Sequence, residues 1–259
     1  MPAYYERIGP HRYLPTAHAG GAWQPDAEQH MAPVAGLLAR EIELFVAPRG
    51  GEVEIARISY DILGLIGAAE SDIEVAALRP GRTIELVEAT MIIGGRPAVR
   101  ARAWLLSRQD TAPIAGGGPA PLPAPDSLPR WPMQRLWAGG YIASLDVRRE
   151  GPERPGRAVV WIAADTQLIA GEEAGELASY LALVDTANGV AVREDPKRWM
   201  FPNVDLTVHL YRRPRGRWVG LDVEVSFGPD GRGLTSSVLH DIDGPVGRAE
   251  QILTVRPLG

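Results

Sequence analysis

Apolar residues change their spacing several times along this chain, and each change marks an element. Between residues 31 and 46 they fall at Val34, Leu37, Leu38, Ile42 and Phe45, the three-and-four spacing of a helix with one buried face. In VEIARISYDIL (53–63) the period drops to two, which predicts a strand. SDIEVAALRPGRTIELVEATMIIGGRPAVRARAWLL (71–106) holds three more strands, divided by the turn signals RPGR and IGGRP. The same order returns further on. AVVWIAA (158–164) reads as a strand and EEAGELASYLALVDTANGVAV (172–192) has helical composition. NVDLTVHLY (203–211), RWVGLDVEVSF (217–227), GLTSSVLHD (233–241) and GRAEQILTVR (247–256) read as four strands.

Between the two sets lies APIAGGGPAPLPAPDSLPRWP (112–132), dense in Pro, Gly and Ala with little to bury, which predicts a linker. It divides the chain into units at 1–111 and 133–259. The units also repeat in residues. PGRTIELVEATM (80–91) lies over DGRGLTSSVLHD (230–241), and RISYDIL (57–63) lies over DLTVHLY (205–211). The small difference between the two offsets falls in a turn, where length changes are cheapest. An internal duplication explains both the order and the matches. One helix with an antiparallel meander packs by curling the sheet around the helix, and two such units pair edge to edge into one longer sheet.

Composition narrows the chemistry. A net charge of −5 gives no electrostatic case for nucleic acid. The absence of cysteine excludes disulfides, Cys-ligated zinc and a thiol nucleophile, and fits a reducing compartment. The N-terminal stretch MPAYYERIGPHRYLPT lacks the basic start and apolar run of a signal peptide, and no run is long enough to span a membrane, so a soluble cytoplasmic protein is expected. YRRPRGR (211–217) reads either as a solvated turn or as a patch that receives a phosphorylated cofactor tail. There is no G-x-S-x-G elbow, H-E-x-x-H, P-loop or G-x-G-x-x-G.

One residue stands out of its surroundings. In LALVDTANGV (181–190) a carboxylate, Asp185, interrupts an apolar helical run. An ionised carboxylate out of water costs several kcal/mol unless paired. Asp185 is therefore an exposed or capping residue near Gly189, or a functional one. On DLTVHL, Asp205, Thr207 and His209 share one face, either solvated or lining a site.

The duplicated pattern, RPGRTIELVEATM in the first unit and DGRGLTSSVLHDIDGPVGRAEQILTVRP closing the second make the chain resemble the acyl-CoA thioesterases with two tandem hotdog units, including bacterial acyl-CoA thioesterase II. The resemblance covers nearly the whole chain. It implies an α+β double hotdog, each unit a long helix wrapped by a curved antiparallel sheet. It implies hydrolysis of acyl-CoA by a water held by an Asp on the central helix, a Gln on the last strand and a Thr on an intervening strand. Asp185 and Gln251 match the first two. For the third, alignment on Pro214 gives Val204 or Asp205, and a slip of one or two residues gives Thr207. A carboxylate can take the water's proton, an amide can hold the water or the carbonyl, and a hydroxyl can orient either.

The resemblance further implies no metal or redox cofactor, with CoA arriving as part of the substrate. The HGG common near the family's first helix is EQHMAP (28–33) here, which keeps His30 without the glycines. The first unit has Ala103 in the place of Gln251, and its helix carries Glu41 and Glu43 with no Asp at matching depth, so one site per chain is expected. FPNVDLTVH lacks the D-x-N-P-x-H of hotdog hydratases. The competing reading is a non-catalytic hotdog that binds acyl-CoA or another acyl ligand. A duplicated unit is already a pseudo-dimer, which leaves monomeric and homo-oligomeric forms open.

Overall fold

The computed structural model describes residues 1–24, 26–49 and 53–258. Its strands are β1 (Ala3–Gly9), β2 (Arg12–Pro15), β3 (Val53–Ile62), β4 (Ser71–Arg79), β5 (Ile84–Ile93), β6 (Arg96–Ser107), β7 (Leu145–Arg149), β8 (Arg157–Ala164), β9 (Gln167–Ile169), β10 (Trp199–Met200), β11 (Asp205–Leu210), β12 (Val219–Phe227), β13 (Arg232–Asp241), β14 (Gly244–Thr254) and β15 (Arg256–Pro257). Its helices are α1 (Met31–Val46), the single turn α2 (Gly140–Ala143), α3 (Glu176–Val184) and the single turn α4 (Ala187–Val190).

Thirteen strands form one sheet in the order β7-β8-β12-β13-β14-β11-β3-β6-β5-β4-β2-β1-β9. Outward from the central pair, the first half runs β3-β6-β5-β4-β2-β1 and the second runs β11-β14-β13-β12-β8-β7. The two halves thus share one connectivity, as the repeat predicts, and form the double hotdog that the resemblance implies. β3 and β11 pair antiparallel, with Asp205 opposite Asp61 and His209 opposite Arg57. β9 departs from the symmetry: it pairs in parallel with β1 and so adds a second-half strand to the first half's edge.

The helix expected at 31–46 forms over those residues. The helix expected at 172–192 is shorter and broken: α3 ends at Val184, Asp185 is its C-cap, and α4 resumes at Ala187. The break lies where Asp185 and Thr186 turn their side chains to partners outside the helix. The N-terminal hairpin and β7 carried no clear periodic signal. The hairpin is held by long polar-tipped side chains: Tyr4, Tyr5 and Tyr13 are buried, and the hydroxyls of Tyr5 and Tyr13 donate to Gln29 and Glu41. Residues 112–132 cross the outer face of the second half's strands, where the carbonyl of Pro123 accepts the indole N–H of Trp161 at 2.7 Å. Among the described residues no helix is long and apolar enough to cross a membrane.

The two long helices lie inside the curl of the sheet and run antiparallel. A Cβ on Gly36 would stand 2.6 Å from the carbonyl oxygen of Ala178 and 2.6 Å from the Cβ of Ala182. Glycine is thus required by the close approach of two backbones. Gly36→Ala is expected to lower stability by about 1–3 kcal/mol through overpacking, against a helix-propensity gain of about 1 kcal/mol. Thermal denaturation measures the balance; a raised midpoint would mean that the helices part without cost.

Candidate active site

The helix crossing brings the C-terminal end of α3 to the N-terminal end of α1, and the strongest group there is Asp185. It is only 5% exposed. Its Oδ1 accepts from Nε2 of Gln251 at 2.9 Å and from Nδ2 of Asn203 at 2.8 Å. Among the described residues none donates to its Oδ2, and Nδ1 of His30 lies 3.7 Å from it. Burial raises the carboxyl to about 7, the two amide donors oppose the rise, and the charge of Asp205 adds to it.

Each neighbour is placed by its own local rule. Gln251 lies on β14, whose alternation turns Ala249, Gln251 and Leu253 inward. Asn203 precedes β11 and is braced by a second donation, to the carbonyl of Asp205 at 3.0 Å. The carboxylate of Asp205 accepts the N–H of Ile252 at 2.7 Å and so ties the start of β11 to β14. His30 is the N-cap of α1: its Nδ1 accepts from the N–H of Ala32 at 3.1 Å, which leaves the ring proton on Nε2. Burial lowers His30 to about 3, so it is neutral. Its ring packs on Tyr141 at 4.2 Å, and the Tyr141 hydroxyl meets Thr186 at 2.7 Å.

Asp185 and Asn203 line a cavity of about 490 Å³ with apolar walls that include Trp23, Met31, Met133 and Trp137. Trp137 meets Trp23 and Phe201 edge-on, at 5.2 and 6.0 Å. Gly139 and Gly140 let this wall close. Gly139 has φ +102, and a Cβ there would lie 2.2 Å from the carbonyl oxygen of Gly21; one on Gly140 would lie 1.8 Å from that of Ala17. The tight backbone approach is therefore made by glycines outside EQHMAP. Arg256 is the one arginine or lysine among the described lining residues, and it has no carboxylate partner among them.

Of the three residues proposed from sequence, the structure brings Asp185 and Gln251 together and leaves Thr207 apart. Thr207 pairs with Glu250 and Ser59 on the outer face of the sheet, because β11 turns Leu206, Val208 and Leu210 inward. Asn203, two residues before β11, is the side chain that reaches Asp185 in its stead. The resemblance implies a hydroxyl as the third group, and the structure places an amide beside Asp185. His209 is exposed on the outer face. The arginines of 211–217 lie at the other end of β11, and three have acidic partners: Arg212 with Asp241, Arg213 with Glu54 and Arg217 with Asp165.

Two family models match the sequence. One is the acyl-CoA thioesterase N-terminal domain, over residues 20–106, and the other the acyl-CoA thioesterase C-terminal domain, over 118–255. The chain belongs to the acyl-CoA thioesterase family, whose members are hydrolases. The fold is shared with a hot dog fold protein of unknown function from Alicyclobacillus acidocaldarius, at TM-score 0.76 and 14% identity over 98% of this chain and 96% of that one. It is shared with the acyl-CoA thioesterase II TesB2 of Mycobacterium marinum, at TM-score 0.69 and 16% identity over 98% and 95%. A tesB protein of Mycobacterium avium subspecies paratuberculosis matches at TM-score 0.69 and 15% identity over 98% and 96%. No curated protein matches the sequence.

A carboxyl raised to about 7 in the folded state makes burial of Asp185 unfavourable once it ionises. Its contribution to stability is full below the unfolded value, near 4, and is lost as pH rises through about 7. Asp185→Asn keeps an acceptor for both amides and carries no charge. It is expected to melt above the wild type at pH 8, with the gap closing toward pH 4. Equal melting temperatures at both pH values would show that ionisation costs the fold nothing.

Proposed function

We propose that the protein hydrolyses acyl-CoA thioesters to free acid and CoA, with Asp185 as the base that activates a water. The observation that carries this reading is a buried carboxylate, raised to about 7, whose Oδ2 takes no donor among the described residues and which lines a largely apolar-walled cavity. A base is most effective when its pKa lies near the working pH.

Gln251 and Asn203 occupy Oδ1 and leave Oδ2 to take a proton from water. The water oxygen attacks the thioester carbon, and the carbonyl electrons move to oxygen. The tetrahedral species collapses with loss of the CoA thiolate, which recovers the proton from Asp185. The N-terminus of α1 supplies the positive field that a developing oxyanion needs. There, the N–H of Ala32 is taken by His30 and Pro33 has none, which leaves the N–H of Met31 as a donor to the oxyanion. The apolar walls take the acyl chain. Arg256 offers free N–H groups to the phosphates of CoA.

Thiol release from acyl-CoA substrates of short to long chain tests the reading. The wild type is expected to turn over, with an acid limb near pH 7. Asp185→Asn is expected to lose on the order of 100-fold or more in kcat. A folded wild type that binds acyl-CoA but releases no thiol would make the protein a binding module instead. Arg256→Gln is expected to raise KM for acyl-CoA with little change in kcat, and to leave unchanged the hydrolysis of an acyl thioester of N-acetylcysteamine, which has no phosphate. An equal effect on both substrates would remove Arg256 from phosphate recognition.

A further inference from the structure

Behind Gln251 the concave face of the sheet carries polar atoms that no described residue engages. Oε1 of Gln251, Oγ1 of Thr235 and Oγ of Ser237 are all buried without a hydrogen-bond partner among the described residues. They are neighbours. Thr235 stands directly opposite Gln251 in the β13–β14 register, and Ser237 is the next inward residue on β13. Buried hydroxyl and amide groups are ordinarily satisfied, and a cluster of unsatisfied ones calls for an explanation.

The other half of the molecule shows that these groups are not required by the fold. In the corresponding β5–β6 register Val87 stands opposite Ala103, and Ala89 opposite Ala101. All four are buried. The ladder register thus shifts the sequence overlay, which set Thr235 over Glu85, by two residues: Thr235, Ser237 and Gln251 replace Val87, Ala89 and Ala103 of an otherwise equivalent sheet. Valine and threonine have nearly the same shape, so the exchange adds a hydroxyl and little else. The polar set occurs only in the half that carries Asp185.

Resting on the hydrolase reading for its catalytic consequence, we propose that Thr235 is a positioning residue: its hydroxyl, with that of Ser237, holds one buried water against Oε1 of Gln251 and so fixes the amide with Nε2 turned to Asp185. Three polar partners are what one buried water uses. The amide has two ends of similar size, and only the arrangement with Nε2 forward can donate to a carboxylate. A donor at Oε1 makes that arrangement the stable one. Without it the amide turns more freely, and Oδ1 of Asp185 loses one of its two donors.

Two measurements on Thr235→Val and Thr235→Ser test this. The first is the pH profile of thiol release. Thr235→Val is expected to lower kcat on the order of tenfold, with KM nearly unchanged, and to move the acid limb to higher pH, since loss of an amide donor raises a carboxyl. Thr235→Ser, which keeps the hydroxyl, is expected to restore both. The other groups that face Asp185 stay in place in both variants: His30 before α1, Tyr141 of α2, and Asn203 and Asp205 at the start of β11. The second measurement is titration of the Asp185 carboxyl by carbon NMR, which needs no turnover. An upward shift in the valine variant and its reversal in the serine variant are expected. A wild type without thiol release would overturn the hydrolase reading and leave this titration to decide the inference. An unmoved carboxyl in Thr235→Val, or a serine variant that behaves as the valine variant does, would overturn the inference itself.

Discussion

The close antiparallel crossing of α1 and α3 at Gly36 is the contact on which the remaining architecture depends. It lets one curved sheet close over two helices. It also sets their ends in register, so that the cap of α1, His30, reaches the end of α3, Asp185. A bulkier residue at 36 would separate the helices and widen the gap between these two side chains. Stability and site geometry therefore share one constraint, and the same glycine serves both.

Asp185 shows how the fold holds an unfavourable group. Burial in an apolar setting opposes its ionisation, and two amides partly compensate. One oxygen is fully engaged and the other is not, so the carboxylate is held in place and still has a free lone pair. A third donor on Oδ2 would make it more stable and less basic. The neutral His30 does not supply one: its Nδ1 is occupied as a helix cap, and burial keeps the ring uncharged.

The two halves of the duplicated sheet have kept their frame and diverged in chemistry. Strand order, register and apolar alternation are common to both. The differences are concentrated on a few inward positions, where the first half has Val87, Ala89 and Ala103 and the second has Thr235, Ser237 and Gln251. β9 breaks the symmetry in another way, since it joins the edge of the first half through β1. Loops 17–24 and 137–141 interlock through glycines and complete the cavity from both halves. Asp185, Asn203 and Gln251 come from the second half, while the cavity wall is shared by both, the first half giving Trp23, His30, Met31, Ile62 and Leu65 among others.

Periodicity along the chain determined the helix at 31–46, the meander strands and the repeat, because each depends on which side chains face a single core. It did not determine the N-terminal hairpin, whose inward residues are tyrosines with polar tips, nor the break in the second helix, which is made by side chains bonding elsewhere. Asp185 and Gln251 were legible because each is a polar residue in an apolar run and both match a family pattern. Asn203 and Thr235 were not. Asn203 acts from beyond a strand end, where no alternation applies, and Thr235 looks like an ordinary strand residue until its neighbour across the ladder is known. Thr207 carries the hydroxyl that the resemblance implies, and only the pleat of β11, fixed by pairing with β3 and β14, decides that it faces away. A sequence specifies which faces are apolar; which polar atoms meet is decided by how separate segments are brought together in space.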